Sequence, residues 1–329
     1  MDLGDLSLDL SGLDRQQRPD HSTTYDLLII GGGPAAMSAA VYASRKLLKT
    51  ALLADDLGGQ VGWTSEIENY LGFQSISGKE LVTKFSEQVK QFDVPIARGE
   101  KVVEVTKPDE LFRVRSAGGA IYSGRAVIVA TGKRNRKLGV PGEDRLLGRG
   151  VAICAICDAP FYSGRKVAVA GGGNSAFTAA LDLLKVGAEV LLINFAQGWQ
   201  ADEILIESAQ NRDKLTLLDM HQITQISGEQ TVEEATILDR RSGEQREVEL
   251  QGVFIEIGLD PNSEPVAALA ELTDHRELKI DCHCRTSVPG LYGAGDVTTV
   301  PYKQIVISAG EGAKAALAAY EDLIMSGRI

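Results

Sequence analysis

The sequence predicts an α/β protein built from two Rossmann-like dinucleotide-binding domains, with the second domain inserted into the first. Two observations lead to this prediction. A pattern of apolar run, glycine-rich turn, helical stretch and apolar run occurs twice, and each copy is followed later by another apolar run that ends in glycine. The 329 residues, of which 44% are hydrophobic, suffice for two domains that each bury a core of their own.

The first copy of the pattern begins with the apolar run 25–30 (YDLLII). The glycine turn 31–36 (GGGPAA) follows it and opens a helical stretch. A second apolar run, 51–54, ends at the acidic pair Asp55 and Asp56. Strand, glycine turn, helix and strand in this order predict one βαβ unit.

The second copy repeats the same order. The run 166–170 (KVAVA) leads into the glycine turn 171–176 (GGGNSA), and the later run 189–193 is the second predicted strand. The apolar runs that end in glycine are 126–132 (AVIVATG) for the first copy and 253–258 (VFIEIG) for the second. The chain therefore holds two domains of similar plan.

The glycines of such a turn have a physical purpose. The first glycine makes the tight turn, the second lets backbone N–H groups approach a pyrophosphate, and a small third residue packs the helix against the strand. The pyrophosphate then lies at the helix N-terminus, where the helix dipole and free amides favour negative charge. Both turns follow predicted strands and open predicted helices, so we expect a dinucleotide at each.

A pair of cysteines lies between the two glycine turns. Cys154 and Cys157 are separated by two residues, a spacing that closes a small disulfide ring, and Asp158 follows directly. Such a ring exchanges with an external disulfide through a thiolate. We therefore predict that Cys154 and Cys157 are the redox-active pair.

Zinc is the alternative use of these cysteines. A CxxC supplies half of a tetrahedral zinc site, and a second pair, Cys282 and Cys284, could supply the other half. The second pair lies in a predicted strand (LKIDCHCRT), which would send both thiols to one face. We expect packing or incidental thiols there and predict no metal site.

From Tyr25 to about Leu323 the sequence resembles the low-molecular-weight thioredoxin reductases, and it is also similar to the flavoprotein subunit of alkyl hydroperoxide reductase. The resemblance rests on an ordered set of specific motifs rather than on one glycine turn. The matching segments are GGGPAA (31–36), GGQ (58–60), EIENY (66–70), ATG (130–132), CAICD (154–158), GGGNS (171–175) and GAGDVTTVPYKQ (293–304).

The resemblance implies a thioredoxin reductase-like division of the chain. The FAD-binding domain would be discontinuous and comprise 25–135 and 259–329. The second dinucleotide-binding domain, 136–258, would carry the CxxC. Residues 1–24 have acids interrupting their apolar positions and no basic leading region, so we predict a flexible tail and no signal peptide.

The resemblance also assigns residues to FAD. The first glycine turn would hold the pyrophosphate, either Asp55 or Asp56 would lie near the adenosine ribose, and Asp296 would bond the ribityl and phosphate region. The helical run that begins at Gln304 would point its N-terminus at the flavin ring, where it stabilises the charge of reduced flavin. The complete predicted set is Gly31, Gly33, Pro34, Ala35, Asp55, Asp56, Gly59, Gln60, Asn69, Ala130, Thr131, Gly132, Gly295, Asp296, Lys303, Gln304 and Ile305.

The second site departs from the NADPH-using members of the family. They carry a His-Arg-Arg run after the strand that follows GGGNS, whereas 193–200 (INFAQGWQ) contains no cation. We therefore predict that NADPH binds poorly. The site would hold NADH, with Asn194 on the ribose, or a second FAD against Phe195 and Trp199, as in the diflavin-linked disulfide oxidoreductases. The predicted residues are Gly171, Gly173, Asn174, Ser175, Ala176, Asn194, Phe195, Trp199 and Gly258.

These features together predict an FAD-dependent dithiol–disulfide oxidoreductase. By resemblance, Cys157 would face the flavin, Cys154 would attack the disulfide of a partner, and Asp158 would manage protons. Two alternatives stay open. One is a ferredoxin-linked thioredoxin reductase whose second site is vestigial, and the other is a non-catalytic flavin and disulfide redox sensor.

Composition limits the partners. The net charge of −11 and the pI near 5.0 argue against nucleic acid as a partner. No stretch approaches the roughly 18 apolar residues of a transmembrane helix, and we expect a cytoplasmic protein. The resemblance implies a thioredoxin-like or other protein or small-molecule thiol partner and a homodimer.

Overall fold

The computed structural model describes residues 17–64, 67–210 and 212–329. In chain order the strands are β1 (Thr24–Ile30), β2 (Thr50–Ala54), β3 (Ile96–Arg98), β4 (Val102–Thr106), β5 (Phe112–Ser116), β6 (Ile121–Val129), β7 (Lys133–Asn135), β8 (Val151–Ala152), β9 (Lys166–Ala170), β10 (Glu189–Asn194), β11 (Leu215–Asp219), β12 (His221–Ser227), β13 (Glu234–Asp239), β14 (Gln245–Glu249), β15 (Gly252–Ile255), β16 (Leu259–Pro261) and β17 (Leu291–Gly293). The helices are α1 (Pro34–Arg45), α2 (Gly78–Lys90), α3 (Glu143–Leu146), α4 (Ala155–Asp158), α5 (Asn174–Lys185), α6 (Glu203–Ala209) and α7 (Ile305–Met325).

The described residues form two compact units, and one interrupts the other in the sequence. The chain leaves the first unit after Arg134 and returns to it at Asp260, beside the paired strands β7 and β16. The first unit holds the described residues of Met1–Ser65, Tyr70–Arg134 and Asp260–Ile329, and the second holds those of Glu66–Asn69 and Asn135–Leu259.

The first unit is built on a seven-stranded sheet in the order β3-β2-β1-β6-β5-β4, with β17 also paired to β6. β1 runs parallel to β2 and β6, whereas β5 runs antiparallel to β6. β1 is almost wholly buried, because α1 and α7 pack on one face of the sheet and residues of the 266–291 segment pack in the apolar cluster on the other. Burial on both faces explains why this strand reads as a continuous apolar run rather than an alternating one.

The second unit repeats this plan with a five-stranded parallel sheet in the order β11-β10-β9-β15-β8. α5 packs its apolar face against β9 and β10, through residues such as Phe177 and Leu183. A three-stranded antiparallel sheet, β12-β13-β14, covers the other face through Ile223 and Ile237. Two βαβ units with parallel β1–β2 and β9–β10 pairs, in two units of which one is inserted into the other, confirm the predicted fold class.

Backbone conformation explains the glycine that starts each turn. Gly31 has a φ of 125°, and a Cβ atom there would lie 2.2 Å from the carbonyl oxygen of Ala130. Gly171 has a φ of 148°, and its Cβ atom would lie 2.3 Å from the carbonyl oxygen of Glu256. Only glycine adopts this conformation without strain, and only glycine lets the neighbouring strand approach so closely.

Two local predictions are wrong in the described residues. Part of the tail predicted for 1–24 is packed, because the Gln17 carbonyl accepts a hydrogen bond from Ile96 N–H and the His21 ring lies 4.6 Å from that of Tyr122. The strand predicted around Cys282 and Cys284 is a turn. Cys282 is exposed and Cys284 is buried, so the two thiols do not share a face. Residues 1–16 of the predicted tail lie outside the described residues.

The helices that the structure describes include none that is long and apolar enough to cross a membrane.

Candidate active site

The two cysteines of the CAIC motif form a disulfide. Cys154 directly precedes α4, which holds Cys157, and their Cα atoms are 5.3 Å apart. The Cys154 carbonyl accepts hydrogen bonds from the N–H groups of Cys157 at 3.2 Å and of Asp158 at 3.0 Å. This single helical turn brings the two sulfur atoms together. Both cysteines are half-buried, so they are not enclosed in the hydrophobic core. The arrangement suits a disulfide that opens and closes during catalysis.

Asp158 ends the same helical turn. Burial raises the pKa of its carboxyl from 3.8 to about 6. Burial, with the nearby Asp158 charge as a second cause, raises the pKa of Tyr162 to about 12, so the phenol stays protonated. A carboxyl that titrates near neutrality exchanges protons efficiently with neighbouring thiols. The raised pKa of Asp158 therefore suits the proton transfer predicted for it.

A second buried acid, Glu256, was missed in the sequence. It directly follows β15, and its carboxylate accepts hydrogen bonds from the Ser175 hydroxyl and from the N–H of Ala155. Burial raises its pKa to about 7. Ala155 lies between the two cysteines and Ser175 lies in the first turn of α5, so this carboxyl links the redox helix to the second glycine turn. Its only sequence signal is one acid within the apolar run VFIEIG.

The second glycine turn has the form of a pyrophosphate site. α5 begins directly after Gly173, and a Cβ atom built on Gly173 would meet no atom within 4 Å. Ala176 packs beneath the turn, with its Cβ atom 2.9 Å from the position of a Cβ on Gly171. The amide of Asn174 exchanges two hydrogen bonds with Asp202. Open space therefore lies beside the N-terminus of a twelve-residue helix.

The structure does not support the predicted role of Asn194 as a donor to the ribose. Its side chain is buried beside Gly172, and its amide nitrogen already donates to the Gly198 carbonyl and to the Gln200 side chain. Its oxygen accepts from Ala196 N–H at 3.4 Å. Both amide hydrogens of Asn194 are thus used to shape its own loop.

The two aromatic residues of this loop differ in their surroundings. Trp199 packs edge-on against Phe177, with ring centroids 5.2 Å apart and an interplanar angle of 89°. It belongs to the edge of the apolar core, so it is a poor platform for a flavin ring. Phe195 is 58% exposed, and the guanidinium of Arg240 lies over its ring.

The first glycine turn fits the pyrophosphate of a dinucleotide. A Cβ atom on Gly33 would meet nothing within 4 Å, and one on Gly59 would meet only the Gly33 Cα atom at 3.8 Å. α1 begins at Pro34, directly beside this open space. Asp55 and Asp56 directly follow β2 with exposed side chains, and partial desolvation together with the Asp55 charge raises the pKa of Asp56.

The GAGDV segment lies against the same helix. Gly295 has a φ of 73°, and a Cβ atom there would be only 3.1 Å from the Ala35 Cβ atom, so glycine is favoured at this approach to the first turn of α1. Asp296 accepts a hydrogen bond from the Ser308 hydroxyl of α7 at 3.0 Å, and burial raises the pKa of its carboxyl. The structure thus brings together the glycine turn and the acid that the sequence assigned to FAD.

A network of lysines surrounds the start of α7. Lys303 donates to the carbonyls of Thr298 and Val300, and it lies 3.7 Å from Glu277. Glu277 also pairs with Lys133 at 2.6 Å, and the Lys133 carbonyl accepts a hydrogen bond from the Gln60 side chain. The sequence identified Gln60 and Lys303 but not the Lys133–Glu277 pair that joins them.

The remaining predicted FAD residues lie in the first unit with one exception. Ala130 directly follows β6, and Thr131 bonds to Asn262 through both its hydroxyl and its carbonyl. Gln304 precedes α7, which begins at Ile305. Asn69 is grouped with the second unit, so its assignment to FAD stays a prediction. Across the described residues, no group of three or more His, Cys, Asp and Glu side chains is arranged to hold a metal ion.

Comparison with known protein families gives one match that covers most of the chain. The family model for pyridine nucleotide-disulphide oxidoreductases matches residues 25–316.

Comparison with individual proteins gives similar results. The chain is 43% identical over 318 residues to an alkyl hydroperoxide reductase subunit of Pseudomonas putida and 41% identical over 314 residues to the NADH dehydrogenase of Bacillus subtilis. Each match covers 95% of this chain and 61% of the relative, so the chain spans about three fifths of their length. The thioredoxin reductase of Streptococcus pyogenes is 35% identical, with a TM-score of 0.86 over 92% of this chain and 99% of that structure.

Proposed function

The chain belongs to the pyridine nucleotide-disulphide oxidoreductases, and from this premise we propose that it is a flavin-dependent disulfide oxidoreductase that acts as thioredoxin reductase does. The second glycine turn would hold a pyridine nucleotide as the electron donor, and the Cys154–Cys157 disulfide is the group of this chain that is reduced to a dithiol. The resulting dithiol reduces the disulfide of a thioredoxin-like partner. The observation that carries the proposal is the disulfide itself, closed on one helical turn beside an acid that titrates near pH 6.

FAD has a suitable set of residues in the first unit. Gly31, Gly33 and the first turn of α1 would hold its pyrophosphate, and Asp296 would bond its ribityl and phosphate region. When bound, FAD supplies two-electron exchange between the nucleotide and the disulfide. The open space beside Gly33 and the half-buried Asp296, which directly follows the glycine packed on α1, support this assignment.

The thiols of the reduced protein carry the remaining chemistry. The Cys154 thiolate attacks one sulfur of the partner disulfide and forms a mixed disulfide, and the other partner sulfur leaves as a thiolate. The Cys157 thiolate then attacks the sulfur of Cys154, which restores the Cys154–Cys157 disulfide and releases the second partner thiolate. Two electrons pass to the partner in total. The Asp158 carboxyl holds or releases the proton that these thiols exchange, because its pKa lies near neutrality.

A pyridine nucleotide is the best occupant of the second site among the alternatives. A second FAD would need a flat apolar platform, and Trp199 is packed edge-on against Phe177 instead. A vestigial site would not need to keep a glycine at 171, where any other residue would be strained, or the open space at Gly173. The second glycine turn also shares its unit with the redox disulfide and is linked to it through Glu256.

Thioredoxin-like proteins are the partners that we propose, on the basis of similarity to thioredoxin reductase over nearly the whole chain. The curated relatives are longer, so their own activities do not transfer directly to this chain. Homodimerisation and a cytoplasmic location stay predictions from the sequence.

An anaerobic titration tests the electron donor. Purified protein is titrated separately with NADH and with NADPH while the visible absorption band of the flavin is followed. We expect prompt bleaching by at least one nucleotide, and reoxidation when a small disulfide such as 5,5′-dithiobis(2-nitrobenzoate) is added. If neither nucleotide bleaches a flavin that dithiothreitol still reduces, the second site does not accept a pyridine nucleotide as electron donor, and an external carrier such as ferredoxin becomes the alternative.

A further inference from the structure

An arginine from a distant part of the sequence lies at the second dinucleotide site. Arg240 directly follows β13, and the carbon of its guanidinium lies 3.6 Å from the centroid of the Phe195 ring. Its Nη1 atom also donates to the Phe195 carbonyl at 2.7 Å, across 45 positions of the sequence. Phe195 is the first residue after β10, so the cation stands beside the end of that strand.

Backbone hydrogen bonds fix this arrangement. The N–H of Arg240 donates to the Met220 carbonyl at 2.8 Å, and the N–H of Met220 donates to the Ala196 carbonyl at 3.1 Å. Asp219 accepts from Gly198 N–H at 3.0 Å and pairs with Arg241 at 2.7 Å. The β13–β14 hairpin is thereby joined to the loop after β10, which places Arg240 beside Phe195.

Arg240 keeps hydrogen-bonding capacity for a ligand. Throughout the described part of the chain no carboxylate lies within ion-pair distance of it, whereas its neighbour Arg241 is paired with Asp219. An arginine has five N–H donors in a planar fork, and the Phe195 carbonyl uses one of its terminal nitrogen atoms. The stacked guanidinium therefore carries an uncompensated positive charge and unused donors.

Arg240 lies close to where the adenosine ribose of a bound dinucleotide would be. In a β9–α5–β10 unit that binds a dinucleotide, the adenosine ribose lies at the carboxyl end of the second strand. That strand ends at Asn194, whose amide hydrogens are used within the loop. The segment 193–200 contains no cation, but the fold brings Arg240 to it through the contact with Phe195.

We propose that Arg240, held across the Phe195 ring, binds the 2′-phosphate of NADPH, so that the second site accepts NADPH as well as NADH. This inference rests on the proposed function, because it requires a pyridine nucleotide at the second glycine turn. A guanidinium suits the task, since its planar donors match phosphate oxygens and its face stacks on an aromatic ring. Arg240 is thus a specificity-determining residue, and the predicted preference against NADPH is revised.

The test measures binding to the FAD-loaded full chain by isothermal titration calorimetry. The probes are adenosine 2′,5′-bisphosphate and 5′-AMP, which differ only in the 2′-phosphate. We expect the wild-type protein to bind the bisphosphate about tenfold more tightly, since a charged hydrogen bond contributes that much. Arg240→Gln should remove most of this preference and change 5′-AMP binding by less than about twofold. Arg246→Gln, which removes the same charge from the exposed strand β14, is the matched control and should keep the preference.

The outcomes distinguish the role of Arg240 from the presence of a nucleotide at the second glycine turn. If both probes bind the wild-type protein with equal affinity, or if Arg240→Gln weakens both equally, the inference about Arg240 is overturned while the nucleotide site stands. If neither probe binds, the proposed nucleotide at the second glycine turn fails, and the inference fails with it. Steady-state KM values give a second readout: Arg240→Gln should raise the KM for NADPH about tenfold and leave that for NADH nearly unchanged.

Discussion

Replacing Cys157 with serine should abolish the reduction of an external disulfide, with a loss of about a thousandfold or more, while nucleotides still bleach the flavin. Serine cannot form the disulfide with Cys154 that the structure shows, so no dithiol is generated on the protein. The variant then has no route from the nucleotide to an external disulfide. The measurement is anaerobic turnover with 5,5′-dithiobis(2-nitrobenzoate), next to flavin bleaching by NADH or NADPH on the same preparation.

Two controls sharpen this prediction. Cys154→Ser should cause the same loss of turnover, because the disulfide requires both sulfur atoms. Cys282→Ser removes an exposed thiol that takes no part in a disulfide, and it should leave turnover within about twofold of wild type. Unchanged turnover in Cys157→Ser would mean that another route carries electrons to the disulfide substrate.

Replacing Asp158 with asparagine should lower disulfide turnover by about a hundredfold, because the variant lacks the group that exchanges protons with the thiols. Asparagine has nearly the same shape and no proton to transfer. In the wild-type protein, turnover should change with the titration of a group of pKa about 6, and this feature should be absent from the pH profile of the variant. A variant that keeps both its rate and this feature would assign the proton transfer to another group, with Glu256 as the first to test.

The same substitution should stabilise the second unit at high pH. The folded protein raises the pKa of Asp158 from 3.8 to about 6, so it favours the protonated carboxyl. The contribution of this carboxyl to the free energy of unfolding is fully present below about pH 4 and is lost as the pH rises through about 6. The rise in pKa corresponds to about 3 kcal/mol, which is the upper limit of the gain in unfolding free energy for Asp158→Asn at pH 8. The difference in melting temperature between variant and wild type should therefore be larger at pH 8 than at pH 5, and an equal difference at both would contradict the burial of this carboxyl.

The architecture could be predicted because its signals are local. The apolar runs that became β1 and β9 are buried on both faces, and the turns after them require glycine for steric reasons at Gly31 and Gly171. The CxxC spacing likewise determines one helical turn and one disulfide. Each of these features involves residues that are neighbours in the sequence.

The errors concern residues whose surroundings come from elsewhere in the chain. Arg240 contacts Phe195, which lies 45 positions earlier in the sequence, and no pattern in the segment after β10 predicts this contact. Glu256 stands in an apolar run, and its partners Ser175 and Ala155 are distant in sequence. The strand predicted around Cys282 fails for a more local reason. The Asp281 carboxylate accepts from the N–H groups of His283 and Arg285, and this side-chain turn replaces strand pairing.

The most direct test of the central claim is the fate of the disulfide after reduction by the nucleotide. The protein is mixed anaerobically with an excess of NADH or NADPH, alkylated with iodoacetamide and digested, and the cysteine-containing peptides are analysed by mass spectrometry. The exposed Cys282 should be alkylated with or without nucleotide and serves as the internal control. We predict that Cys154 and Cys157 become alkylated only after nucleotide is added. A bleached flavin together with an intact Cys154–Cys157 disulfide would contradict the claim that electrons pass from the nucleotide to this pair.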